Sequence, residues 1–161
     1  MDERAASTTI AQLLAFARAA GAERLDAQRL LAHLLGQTRA WLVAHHDATP
    51  GADAADAART ALERLASGVP LAYLTGEQEF DGLVLRVDPR VLIPRADTGV
   101  IVDWASDLLA SMAPDARVVD LGTGSGAIAL AVKHRFPRAR VTATDLSRDA
   151  LDVARGNATR L

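Results

Sequence analysis

One segment limits what this chain can become more than any other: Asp120-Leu121-Gly122-Thr123-Gly124-Ser125-Gly126. An apolar run of Val118, Val119 and Leu121 precedes it, and Ile128, Leu130, Ala131 and Val132 follow at helical spacing. A short continuous apolar run is the mark of a strand covered on both faces of a parallel sheet. Glycines between such a strand and a helix permit a tight turn and let a ligand lie against backbone. A second strand is expected from Val141 to Thr144, ending at Asp145. Ser147 then caps a helix carrying Leu151, Val153 and Ala154. Strand, glycine loop, helix, strand, helix is how a doubly wound α/β fold opens.

The loop also predicts a ligand. The helix that follows it presents free N–H groups at its N-terminus. Asp145, at the end of the next strand, lies where a carboxylate accepts hydrogen bonds from both hydroxyls of a ribose. Two cofactors compete for this place. Gly122, Gly124 and Ala127 satisfy the dinucleotide pattern in which the last glycine is replaced by alanine, which would suit an NAD-dependent oxidoreductase. Asp120 weighs against NAD, because a carboxylate beside the loop repels a pyrophosphate. S-adenosyl-L-methionine has no phosphate, and its cationic sulfonium and amino groups suit Asp120 directly or through water. The expected cofactor-binding set is Asp120, Gly122, Thr123, Gly124, Ser125, Gly126 and Asp145. The plainer alternative has Asp120 capping a helix and Asp145 merely ending a strand.

The first part of the chain has a different character. Residues 1 to 68 read as a small helical bundle. Thr8 or Thr9 caps a helix with Ile10, Leu13, Leu14 and Phe16, and Gly21 lies just past its end. Asp26 is the expected cap of a second helix, which carries Leu30, Leu31, Leu34 and Leu35 and stops at Gly36. A short third holds Trp41, Leu42 and Val43. An Ala-rich fourth runs from Asp53 to Leu65. No group of chemical residues converges in this part, which suits docking or scaffolding. His45 and His46 point in different directions from a helix and lack a third ligand, and His33 and His134 are isolated. No metal site is expected. Trp41 and Trp104 are read as core residues.

Composition closes off several classes. A net charge of −2 gives no basic excess for nucleic acid. The absence of cysteine excludes disulfides, thiolate metal sites and a cysteine nucleophile. Early charges at Asp2, Glu3 and Arg4 argue against a signal peptide. Nothing approaches the ~18 apolar residues of a membrane span, so a cytoplasmic monomer is expected.

Between the two parts, residues 79 to 93 read as a β-hairpin. Asp81-Gly82 gives a turn, Leu83, Leu85 and Val87 alternate at strand period, and Asp88-Pro89 gives a second turn before Val91, Leu92 and Ile93. Asp97 or Thr98 is expected to cap a helix burying Val100, Ile101, Trp104, Leu108 and Leu109. Arg86, Arg90 and Arg95 form either a basic edge or solvated strand ends. The organisation is a helical domain at 1–68, a linker with a β-hairpin at 69–95, and the start of a further domain at 96–161.

Several stretches together carry a resemblance: Gly68-Val69-Pro70-Leu71-Ala72-Tyr73-Leu74-Thr75-Gly76, Glu79-Phe80, Val91-Leu92-Ile93-Pro94-Arg95 and Asp120 to Gly126. They resemble the bacterial peptide chain release factor glutamine methyltransferases, the HemK-like family. The likeness covers the chain, weakly in the helices and strongly from Gly68 to Asn157. It implies a helical docking domain, a hairpin linker and a Rossmann-like class I methyltransferase domain that uses S-adenosyl-L-methionine. The implied reaction methylates the side-chain amide of the glutamine in the Gly-Gly-Gln motif of release factors. A release factor is then the protein partner, with Pro94, Arg95 and Thr98 beside the active site.

Two departures from the family matter. It usually continues Pro-Arg-Pro-Glu-Thr-Glu, whereas this chain reads Pro94-Arg95-Ala96-Asp97-Thr98-Gly99. Asp97 keeps one acid a methylene shorter and Gly99 loses the other. Family members also carry an Asn-Pro-Pro-Tyr motif after a later strand, and this sequence reaches Leu161 without it. No catalytic residue is therefore assigned. The chain is expected to be the truncated N-terminal portion of a longer protein and inactive alone. Remaining alternatives are a glutamine methyltransferase acting on a ribosomal protein and a non-catalytic binding module.

Overall fold

Thr9 opens the first helix with a reciprocal cap. Its N–H donates to Gln12 Oε1 (2.8 Å), and the Gln12 N–H donates to Thr9 Oγ1 (3.2 Å). The computed structural model describes residues 8–161. Asp2, Glu3 and Arg4 lie outside the described residues. The chain divides into two compact units between Thr75 and Gly76.

The first unit contains α1 (Ile10–Ala19), α2 (Arg24–Leu34), α3 (Arg39–Ala44), α4 (Ala52–Ala66) and α5 (Leu71–Thr75). Their apolar stripes meet in a core of Ile10, Leu13, Leu30, Leu31, Leu42 and Leu62, all fully buried. Burying each such side chain is worth about 1.5–3 kcal/mol. Gly21 and Gly36 follow α1 and α2 at positive φ, as helix stops require. The start of α2 differs from expectation. Glu23 caps it by accepting the Asp26 N–H (2.9 Å), and Asp26 sits in the first turn instead, where its charge suits the helix dipole. Trp41 is half-buried and stacks on His45, with ring centroids 4.4 Å apart.

The second unit begins with β1 (Glu77–Phe80) and β2 (Leu83–Arg86), paired antiparallel with Phe80 opposite Leu83. Asp81 and Gly82 both have positive φ (52° and 77°), the twist that a two-residue hairpin turn needs. The hairpin therefore lies earlier than expected. Its first strand is the polar Glu77-Gln78-Glu79 with Phe80, and Val91 to Ile93 are loop. Asp88 makes that loop by accepting the Arg90 N–H (3.0 Å) and pairing with its guanidinium at 2.6 Å. Arg90 is thus committed to an ion pair rather than to a basic edge.

A 3-10 turn (Ala96–Thr98) leads into α6 (Gly99–Ala110). Neither Asp97 nor Thr98 caps that helix through its side chain. The buried face of α6 is also not the expected one. Val102 and Leu109 are buried with Ala105 half-buried, while Val100, Ile101, Trp104 and Leu108 are exposed. Trp104, 65% exposed, is not a core residue.

The expected series then follows: β3 (Arg117–Leu121), α7 (Ala127–Arg135), β4 (Arg140–Thr144) and α8 (Arg148–Arg160). The strands pair parallel, with Val118 opposite Val141 and Asp120 opposite Ala143. Alternation along β3 places Val118 on the packed face and leaves Val119 and Leu121 exposed, so within this structure the strand is covered on one face, not two. The hairpin residues Phe80, Leu83 and Leu85 join Val102, Leu109, Ala131 and Val132 in one core. Arg135 ties its edges together, bonding Asp81 through Nε (2.9 Å) and Asp103 through Nη1 (2.7 Å). Among the described residues, no helix is long and apolar enough to cross a membrane.

Candidate functional site

The glycine loop leaves β3 and crosses the end of β4. The N–H groups of Gly122 and Thr123 both donate to the Thr144 carbonyl at 2.9 Å. Gly124 N–H donates to Asp145 Oδ2 (2.9 Å), and the Ser147 N–H donates to Oδ1 of the same carboxylate (2.9 Å). Asp145 therefore does more than end a strand: it joins the loop to the start of α8. Hydrogen bonds from the Ser147 and Gly124 N–H groups hold its carboxyl below the ordinary 3.8, each outweighing the opposing effect of burial. Asp120 lies within β3 and caps no helix, and its Oδ2 accepts the Thr123 hydroxyl at 2.7 Å. A carboxylate offers about four lone-pair positions, so both acids retain capacity for further donors.

A side chain at Gly126 would be strained and crowded. Its φ is +86°, and a Cβ there would lie 3.1 Å from Leu130 Cδ1 and 3.4 Å from Ala154 Cβ. The absent side chain is what lets α8 close on the loop. Gly122 and Gly124 differ: a Cβ on either would meet nothing within 4 Å, so open space adjoins them. No side chain caps α7, and its N-terminal N–H groups face out of the helix end.

A cavity of about 330 Å³ lies against this loop. It is within the usual range of small-molecule sites. One wall is Gly122, Thr123, Gly124 and Ser125; another is Ile93, Pro94, Arg95 and Thr98. The structure thus brings together two groups of predicted site residues that are some 25 to 30 positions apart in the chain. Asp120, Gly126 and Asp145 do not line the cavity. They set the shape of the loop that does. A larger cleft of about 440 Å³ in the helical unit, lined by Leu14, Arg18, Arg24 and Gln28 among others, has no acid and no glycine loop. Among the described residues, no group of three or more His, Cys, Asp or Glu could hold a metal.

One residue at the site escaped the sequence reading. Asn157 of α8 is fully buried and bonds the loop carbonyl of Ser125 (2.9 Å). Its signal was a polar residue at an apolar-stripe position, seven after Ala150 and four after Val153.

The parallel strands, the glycine loop and the acid after β4 are the opening of a doubly wound α/β domain. Residues 98–161 match the family described as Methyltransferase small domain, and residues 8–76 match the PrmC N-terminal domain. The chain is 51% identical over 142 residues to the release factor glutamine methyltransferase of Bordetella pertussis, covering 88% of this chain and 52% of that one. It is 47% identical over 154 residues to the same-named protein of Burkholderia pseudomallei (95% and 52% covered) and 46% over 138 residues to that of Moorella thermoacetica (86% and 48%). Over most of its length the chain is similar to release factor glutamine methyltransferases, and its two matched domains fall on its two halves. The chain spans about half the length of the curated relatives it matches.

Proposed function

We propose that the protein carrying this chain transfers a methyl group from S-adenosyl-L-methionine to the side-chain amide of a glutamine, in the Gly-Gly-Gln motif of a peptide chain release factor. The observation that carries this reading is the single cavity walled by the glycine loop and by Pro94, Arg95 and Thr98. The names of the relatives supply the glutamine and the release factor.

The residues present suit such a donor. Gly122 and Gly124 offer backbone without side-chain bulk at the cavity wall, where an added Cβ would meet nothing within 4 Å. Asp145, fixed by two N–H groups and still ionised at neutral pH, keeps lone pairs for ribose hydroxyls. Asp120 adds negative charge near the loop, which favours a cationic ligand over a pyrophosphate. When bound, the donor supplies an electrophilic methyl on a sulfonium. An amide nitrogen is a poor nucleophile because its lone pair is delocalised into the carbonyl, as in the peptide bond. The protein's task is therefore placement, the kind of contribution that reaches ~7–11 kcal/mol in intramolecular reactions. The cofactor-binding set is Asp120, Gly122 to Gly126 and Asp145, with Pro94, Arg95 and Thr98 adjoining the incoming amide. The helical residues 1–68 dock the protein substrate, and residues 69–95 lead into the donor-binding domain.

The test is transfer of a labelled methyl group by the intact protein to a release factor with Gly-Gly-Gln, beside one in which that glutamine is alanine. Label should appear only on the first. Label on both would refute the glutamine. NAD binding as tight as S-adenosylmethionine binding, measured by calorimetry, would refute the donor.

A further inference from the structure

We propose that Asn157 is a positioning residue for the donor loop, holding the Ser125–Gly126 peptide in its binding shape by tying it to the hairpin; this rests on reading the loop as the donor site.

Asn157 lies on the inner stripe of α8 with Ala150, Val153 and Ala154, and it is the one polar member of that stripe. All three of its hydrogen bonds go to backbone, on two segments distant in sequence. Its Oδ1 accepts the Arg86 N–H at 2.7 Å, and its Nδ2 donates to the Arg86 carbonyl at 2.9 Å. The side-chain amide thus pairs with Arg86 of β2 as the peptide of a further strand would. The second Nδ2 hydrogen goes to the Ser125 carbonyl at 2.9 Å. Both amide hydrogens are used, so the ring of contacts admits no other geometry at this residue.

The peptide that Asn157 holds is fixed at both ends. Its carbonyl is taken by Asn157, and its N–H, that of Gly126, donates to the Thr123 carbonyl at 2.9 Å. One turn earlier on α8, Ala154 touches the bare Cα side of Gly126. The helix therefore grips the loop twice, once by close approach and once by hydrogen bond. Ser125 and Thr123, on either side of Gly124, line the cavity. A change in the Ser125–Gly126 peptide plane would move that wall. Asn157 is fully buried and does not line the cavity, so it acts on the site through this peptide.

The Asn157→Asp substitution is nearly isosteric. It keeps an acceptor for the Arg86 N–H and sets carboxylate oxygens against two carbonyls. Asn157→Leu keeps the branching of the side chain, though with more bulk, and removes all three bonds. Val153→Ala loosens the same helix without touching the polar contacts. In the intact protein, the wild type should bind S-adenosylmethionine; failure there would refute the donor reading itself. Given that binding, both Asn157 variants should raise the Kd and KM for the donor on the order of tenfold, the scale of one lost hydrogen bond. The KM for the release factor should stay within twofold or so of wild type. Val153→Ala should lower Tm and leave donor affinity unchanged. Donor affinity retained in Asn157→Asp, or lost equally in Val153→Ala, would overturn the assignment. The wild type gives a check that no folding defect can spoil. Hydrogen exchange of the Asn157 side-chain amide, followed by NMR, should slow when the donor binds, and exchange indifferent to the donor would detach Asn157 from the site.

Discussion

The two units use their buried polar groups in opposite ways. Of the polar residues buried among the described ones, Gln28 alone belongs to the helical unit, and it bonds the Arg39 side chain at 3.3 Å. Thr123, Ser125 and Asn157 all belong to the second unit and lie in or against one loop. Helices α1 to α3 start on side-chain caps and all four of α1 to α4 pack apolar stripes together, each choice favouring the same local structure. The glycine loop instead takes residues of poor intrinsic propensity and holds them by donating hydrogen bonds to the end of β4 and to Asp145 and by accepting one from α8. Conflict between local preference and final shape gathers where a ligand must be met. The helical unit shows what the same chain does where no small donor has to be enclosed.

The largest test of that contrast is in the helical core. Leu62 is fully buried on α4, and Leu62→Ala should cost about 2–5 kcal/mol of stability for that unit. Donor affinity should be unchanged in molecules that remain folded. A parallel loss of donor affinity, measured by calorimetry below the Tm, would show that the units do not divide their roles in this way.

A second test reverses the pattern. Asp145→Ala removes the acceptor for Gly124 and Ser147 and should weaken donor binding on the order of tenfold or more, with little effect on the melting of the helical unit. The pH dependence has a definite sign. The Asp145 carboxyl is held below its ordinary 3.8 in the folded state, so its contribution is complete above that value. It is lost as pH falls through the lower folded value. Compared with Asp145→Asn, the wild type should be more stable at neutral pH, and the gap should close below pH 3.8. A gap independent of pH would mean that charge on Asp145 is irrelevant to the loop.

What the sequence revealed follows the same division. The glycine loop, the strands on either side and a cap at Thr8 or Thr9, which the structure places at Thr9, were legible because each is set by residues within a few positions. The first hairpin strand was not. Glu77, Gln78 and Glu79 have no strand pattern, and pairing with the half-buried β2 gives them their structure. Helix α6 misled for the opposite reason. Val100, Ile101, Val102, Trp104, Ala105, Leu108 and Leu109 spread apolar side chains around most of its circumference, so periodicity could not choose a face. Packing against α7 chose Val102 and Leu109. Asn157 was missed because a stripe is read from apolar residues, and a buried amide is recognisable only once its three backbone partners are known. The two walls of the cavity are joined by tertiary folding alone, and only the family resemblance pointed to Pro94, Arg95 and Thr98.

The smallest expected effect concerns the reciprocal cap at Thr9. Four N–H groups at the start of any helix lack intrahelical partners, and Thr9 Oγ1 satisfies that of Gln12. Gln12 Oε1 returns the favour to the Thr9 N–H at 2.8 Å. The backbone also helps at this end, since the Ile10 and Ala11 N–H groups donate to the Ala48 and His46 carbonyls at 3.0 and 2.8 Å. Those bonds survive loss of the hydroxyl, so α1 should shorten little. Thr9→Ala should cost about 1 kcal/mol, within the usual 0.5–2 for a cap. Thr9→Ser, which keeps the acceptor, should restore most of it. If Thr9→Ala and Thr9→Ser denature alike in urea, the hydroxyl contributes nothing and the backbone bonds alone secure the helix. If instead either change alters donor affinity, the contrast between a unit that leaves the donor site alone and one that shapes it would fail at its most local test.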